Sequence, residues 1–183
     1  MKQSAILLTL AILAIQGCGS KESVVVKGPD GTEITSSKDG STMTFKDESG
    51  KTAQMSTDKE GNMEVTGADG QKMSFGTGLV SEADLGLPFY PGSEDAGKGM
   101  SSKIEAEGKK VVTCVRTSKD DPDKVLDFYQ PKIKNPSQAT GNSGELKSAT
   151  ISGKLESGAD VSIAATKDGS KDTQIMITAT HKS

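Results

Sequence analysis

Two cysteines, one histidine and 25 carboxylates are the groups on which this chain could build chemistry. A catalytic triad or a zinc site needs several such groups converging on one point. The only imidazole, His181, falls among the last three residues. Chain ends are usually mobile, so no catalytic role is expected of it. Cys114 lies in Val111-Val112-Thr113-Cys114-Val115. A thiol among β-branched residues on a strand reads as a buried small hydrophobe, not as a nucleophile. Gly97-Lys98-Gly99 lacks the spacing of a phosphate-cradling loop and has no Ser or Thr after the lysine. Asp30, Asp39 and Asp69 each precede a glycine. Calcium takes roughly six to eight oxygens at one point, and the Gly-Gly-x-Gly-x-Asp order of calcium-binding repeats does not occur here. Turn chemistry accounts for these acids. No catalytic, metal-binding or cofactor-binding residue is therefore expected, and no cofactor. One enzymatic alternative stays open, a hydrolase using a carboxylate pair, because the sequence does not show which acids share a buried site.

Cys18 stands in a different setting. Lys2 precedes an almost unbroken apolar run from Ala5 to Ile15. The run is short for a bilayer span, which needs roughly 20 apolar residues, and has the length of a signal-peptide core. It stops at Gln16-Gly17-Cys18-Gly19-Ser20. A small residue directly before a cysteine, just after such a run, resembles the lipobox of bacterial lipoproteins. Ile15 and Gly17 match that pattern, and Gln16 is bulkier than usual at its position. The resemblance implies cleavage before Cys18 and acylation of its thiol and new amine, so that the membrane is a partner through acyl chains on Cys18. Each buried methylene contributes about 0.8 kcal/mol, and two or three chains hold a protein durably. Gly19 stands where an Asp usually signals inner-membrane retention in Gram-negative lipoproteins. By resemblance the address is the outer membrane facing the periplasm, with the cell surface as the alternative. With Cys18 acylated, Cys114 has no disulfide partner within the chain.

Residues 1–17 thus read as a signal peptide and 18–23 as a lipidated stub. Residues 24–78 form a repeat. Glycines recur at Gly31, Gly40, Gly50, Gly61 and Gly70, at intervals of 9, 10, 11 and 9, each after Asp, Ser or Glu. Asp-Gly between alternating segments is a strong hairpin signal, because type I′ turns need positive φ at both central residues. Pairs such as Met43 and Phe45, Met63 and Val65, or Met73 and Phe75 lie two apart and share one strand face. Six short strands in an antiparallel meander are expected, with one weakly apolar face. A β-solenoid or a largely unfolded tether would fit the same repeat. The Met stripe reads as packing, since Met is a flexible filler.

Residues 79–183 have a different texture. Ser81 to Leu87 suits one helical turn, and Pro88-Phe89-Tyr90-Pro91-Gly92-Ser93 a rigid extended segment whose rings pack on a sheet. Met100–Ala106 and Lys109–Thr117 read as strands joined at Glu107-Gly108. Asp121 at the N-cap, Pro122 at the first position and Asp123 in the first turn open a helix. Val125, Phe128 and Tyr129 share its inner face, and Pro131 should end it. A loop from Asn135 to Gly144 follows, then strands at Leu146–Ile151, Asp160–Ala165 and Thr173–Thr180. This β-β-α-β-β-β order makes an α+β module with one helix on an antiparallel sheet, within a mainly β chain. Leu85 to Ser93, with Asp120 to Tyr129, resembles a small module recurrent in exported bacterial proteins of unknown function, which brings no catalytic residues with it. Tyr90, Phe128 and Tyr129 are expected in the core.

Charge narrows the partners. Both signs are interspersed and the net charge is −3, which argues against nucleic acid, since a binder of it shows a basic stripe. Hydrophobic residues are 32% and Trp is absent, so a thin, sheet-rich architecture is expected. The reading is a lipid-anchored, non-catalytic envelope protein, a spacer or interaction protein with a possible envelope protein partner. The alternative is a ligand- or protein-binding module using the C-terminal sheet or the strand edges of the repeat, by strand addition.

Overall fold

The structure, a computed structural model, describes residues 24–97 and 100–182. Residues 1–17, expected to be a signal peptide, the stub 18–23 with Cys18, and the pair Lys98-Gly99 lie outside the described residues. Six short strands come first: β1 (Val24–Lys27), β2 (Glu33–Ser36), β3 (Thr42–Lys46), β4 (Thr52–Thr57), β5 (Met63–Thr66) and β6 (Lys72–Gly76). Then follow α1 (Glu82–Leu85), β7 (Glu94–Asp95), β8 (Ser101–Ala106), β9 (Lys109–Ser118), α2 (Pro122–Tyr129), β10 (Lys134–Ser143), β11 (Leu146–Lys154), β12 (Asp160–Asp168) and β13 (Thr173–Lys182). All strands join one antiparallel sheet in the order β1-β2-β3-β4-β5-β6-β8-β9-β13-β12-β11-β10. The short β7 pairs with the far end of β9, beyond β8. The fold is mainly β with helices, as the sequence pattern indicated. Pairing of β6 with β8 carries the ladder into the C-terminal sheet without a break.

The repeat turns differ in type from expectation. At Gly31, Gly40, Gly50, Gly61 and Gly70 only the glycine has positive φ. Its amide donates back three residues, as Gly31 does to Gly28 and Gly50 to Asp47. This is a type I turn closed by a left-handed glycine rather than a type I′ turn, and it suits a slightly longer loop. Type I′ geometry occurs at the expected Glu107-Gly108, where φ is 52° and 70°.

Directly paired residues share a sheet face, and the register therefore sorts the side chains. On one side, Val112, Cys114, Ile163, Ile175 and Ile177 are buried beneath Val125, Leu126 and Tyr129 of α2 and Leu85 of α1. Fully burying a side chain of this size contributes about 1.5–3 kcal/mol, so this helical side is where the stability of the C-terminal half resides. The Met stripe lies on the other side. Met43, Met55, Val65, Met73, Ile104 and Val111 face one another across six neighbouring strands. They are half-buried, outside the buried cluster, with no second layer over them among the described residues.

The Asn135–Gly144 stretch is not a loop but most of β10, a ten-residue edge strand whose residues are all exposed. Its polar composition hid it, because an edge strand needs backbone pairing and little apolar burial. Pro136 is accommodated at a bulge, where pairing steps from Lys134–Lys154 to Ser137–Ser152. Asn135 there takes φ 50°.

Candidate functional site

Cys18, the one residue to which the sequence assigns a modification, lies outside the described residues. The other sequence-flagged groups can be placed. Cys114 faces the helical side of β9 and is 1% exposed. Burial pushes its thiol up to about 11. It is therefore protonated at neutral pH and a poor nucleophile. In a Cys18→Ala chain, a chromogenic disulfide reagent at pH 8 should find no reactive thiol until urea is added, and then one. Rapid reaction in the folded protein would place Cys114 at the surface.

His181 lies on the helical side near the end of β13, half-buried, its Nε2 without a hydrogen-bond partner in the described residues. The chain has no second imidazole, and among the described residues no free thiol joins it there. Among the described residues no three His, Cys, Asp or Glu side chains are grouped so as to hold a metal ion.

The turn acids act within their own turns. Asp30 accepts from the Thr32 hydroxyl at 2.6 Å and its amide at 3.1 Å. Asp39 accepts from the hydroxyls of Ser37 and Ser41 and from the Ser41 amide. The Ser37 hydroxyl, followed by those Ser41 groups, lowers its carboxyl to about 2. Asp69 accepts from the Gln71 amide. These are Asx-type contacts that fix the loops. The sequence reading of them as turn residues agrees with the geometry.

A largely buried cluster of charge surrounds Asp84, which sequence reasoning passed over. Ser81 caps α1, and its hydroxyl and amide both reach the Asp84 carboxylate, at 2.7 and 3.1 Å, in a reciprocal capping box. Lys103 of β8 and Lys110 of β9 each sit 2.8 Å from the same carboxylate, whose side chain is only 16% exposed. Burial pulls this carboxyl up, but the two ammonium groups and Ser81 outweigh it and hold it well below the usual range. The Ser-x-x-Asp spacing at 81–84 was the available signal; the lysines come from strands 19 and 26 residues further on. The cluster fastens α1 to the sheet. Asp84→Asn is expected to lower stability by about 2 kcal/mol at pH 7, through a weakened cap and two poorly paired lysines. Because the folded carboxyl is depressed, its contribution is complete above the unfolded value, about 3.9, and is lost as pH falls through the folded value. Urea unfolding of both chains should show the difference narrowing below about pH 4. A difference that is flat with pH would mean the charge is not what matters.

A second cluster joins the 88–93 segment to α2. Tyr90 donates to Asp120 at 2.7 Å. Burial, then that acceptor, raises the phenol to about 12, so it remains a neutral donor. Tyr90 meets Phe128 edge-on at 5.4 Å, and Phe128 meets Tyr129 at 4.9 Å. Tyr90 and Tyr129 are in the core as expected, with Phe128 partly buried against it. Arg116, the only arginine, stacks on Phe89 at 4.0 Å and bonds Ser93 and Asp95. Asp121 does stand at the N-cap of α2, yet its side chain makes no cap bond. It accepts from Lys167 at 2.6 Å instead. Apart from the Tyr129 hydroxyl, which is buried with no hydrogen-bond partner among the described residues, the polar side chains named here each bond a neighbour, which suits a fixed scaffold.

Compared with protein-family models, with curated proteins and with solved structures, the chain matches none.

Proposed function

We propose that the chain is a lipid-anchored, non-catalytic protein of the bacterial cell envelope, whose hairpin ladder spaces a folded C-terminal head away from the membrane. The observation that carries this reading is the strand order. From β1 to β6 it follows chain order, and the helix-covered half lies beyond β8. Each added strand displaces the chain by about 4.8 Å, so the head begins roughly 30 Å from β1. Gly19 to Ser23 separate Cys18 from β1 and span at most about 18 Å. An acyl chain on Cys18 would therefore hold the β1 edge close to the lipid surface and the head out from it. The outer membrane, facing the periplasm, is the address assigned to it, with the cell surface as the alternative. No cofactor or nucleic acid has a part in this role.

The test is metabolic labelling with radioactive palmitate. Label is expected in the wild-type chain and none in Cys18→Ala. No incorporation in either, or equal incorporation in both, would remove the anchor.

A second reading, a protein-binding module working by strand addition, is favoured by β10. Its outer edge has no partner strand among the described residues, and residues 137–143 carry no charge to guard it. The ladder offers less, because among the described residues β1 is its only strand with an unpaired edge.

A further inference from the structure

The side of the sheet away from the helices is free of charge across its interior. In the ladder, Glu33, Lys46, Glu64 and Lys72 all pair onto the helical side of the sheet. The opposite, open side carries the Met43-to-Val111 row. Beside that row runs a second one of hydroxyls: Ser102, Thr113, Thr178, Ser162, Ser152 and Ser137, on six neighbouring strands. Thr113 and Thr178 bond each other at 3.2 Å, which lowers the cost of taking them out of water. Charged residues return only at strand ends, as at Lys109, Lys182, Asp160 and Asp168. The exposed large apolar side chains gather here too. Val26, Ile34, Phe45, Met63, Leu146 and Met176 are each at least 38% exposed and all fall on this side. Among the described residues, Val25 is the only exposed large apolar residue within a strand that falls on the other side.

Twelve strands at about 4.8 Å give a face roughly 55 Å across. With strands of four to ten residues, the face covers on the order of 1,000 Å² at about 3.3 Å per residue. A stable interface buries about 800 Å² per partner, and an uncovered apolar patch above a few hundred Å² is unusual on a monomer.

We propose that this open face is a homodimer interface, in which two copies pack their uncharged sheet faces into a two-layer sandwich. A face without charge is self-complementary under a two-fold axis, since no like charges meet. Sheets packed this way sit about 10 Å apart and interdigitate side chains of the sizes found here. A lipid surface fits worse. Membrane-facing surfaces combine basic residues with Trp, whereas the lysines here are kept to the rim and the hydroxyl row would lack partners in lipid. The interface does not depend on the anchor.

The test places photoreactive benzoylphenylalanine in the full chain in a bacterial host, at Met55 or Met176 on the open face, or at Gln54 on the other. Ultraviolet light should yield an adduct of twice the chain mass from Met55 and Met176, and mass spectrometry should find only this chain in it. Gln54 should yield none. Phe45→Lys puts an unpaired charge on the ladder part of the interface, one strand from Met55, without disturbing the helix-covered core, and should cut the Met55 adduct by about fivefold, equivalent to about 1 kcal/mol, with the circular dichroism unchanged. Cys18→Ala, run in parallel, should keep the adduct, so a failure of the anchor is distinguishable from a failure of the dimer. Adducts to lipid or to another protein, adducts equally from Gln54, or none from either open-face position would overturn the proposal.

Discussion

Ile177→Ala is expected to lower the unfolding free energy by about 4 kcal/mol, while Met55→Ala, measured in dilute solution, should cost under about 1.5 kcal/mol. Both residues sit mid-strand, with an apolar partner on one side at least: Cys114 and Ile163 flank Ile177, and Met43 and Val65 flank Met55. What differs is the layer above. Ile177 is fully buried beneath the helices, so alanine leaves a cavity that the packed strands and α2 cannot close. Met55 has water on one side, and its loss mainly removes cross-strand contact. Urea unfolding followed by circular dichroism measures both. The same asymmetry should appear in amide exchange, with β2 to β5 opening more readily than β12 and β13. Equal losses at the two positions would mean that the ladder's open face is as well covered as the core.

The contrast also shows where sequence pattern sufficed. Period-two alternation found every ladder strand, because each must pair its neighbours within a few residues and the turn glycines mark the reversals. The sequence also marked the strand at 173–180, and capping residues marked the Asp-Pro start of α2. Alternation alone, however, does not say to which side of a sheet an apolar set points. The Met stripe and the Ile175–Ile177 pair obey the same period, yet they lie on opposite sides of one sheet. That relation is set by the pairing of β6 with β8 and of β9 with β13, which join residues far apart in the chain. The turn type was misjudged for a local reason. Asp-Gly permits type I′, but loops anchored by the acids' own hydrogen bonds prefer one left-handed residue to two. The Asp84 cluster was half legible, since Ser81 and Asp84 announce a cap while Lys103 and Lys110 arrive through topology. Cys114 was legible in full, as its β-branched neighbours already imply burial.

Substituting a glycine in β11 separates pairing from packing at the sheet's far edge. Lys134 pairs with Lys154 and Ser137 with Ser152, so Asn135 and Pro136 together lie opposite the single residue Gly153. A Cβ at Gly153 would come within 2.6 Å of Ile133 Cγ2 and 2.7 Å of the Lys134 carbonyl oxygen. The first is the side chain of a core residue, 6% exposed, and the second is backbone, so neither gives way cheaply. The bulge needs that space. Pro136 cannot donate to the ladder, and the chain must turn from the buried Ile133 into a strand with every residue exposed. Gly153→Val is therefore expected to cost about 3 kcal/mol by overpacking. Amide exchange should show β10 losing protection while β12 and β13 keep theirs. Gly141→Ala, on β10 itself, is the control. Its added Cβ meets only the Ser148 hydroxyl, at 3.2 Å, a group at the end of a rotatable side chain, and the expected cost is under about 1 kcal/mol. If Gly153→Val were as mild as Gly141→Ala, the bulge could move, and β10 would be held by its hairpin with β11 and not by the close approach of Ile133 to Gly153.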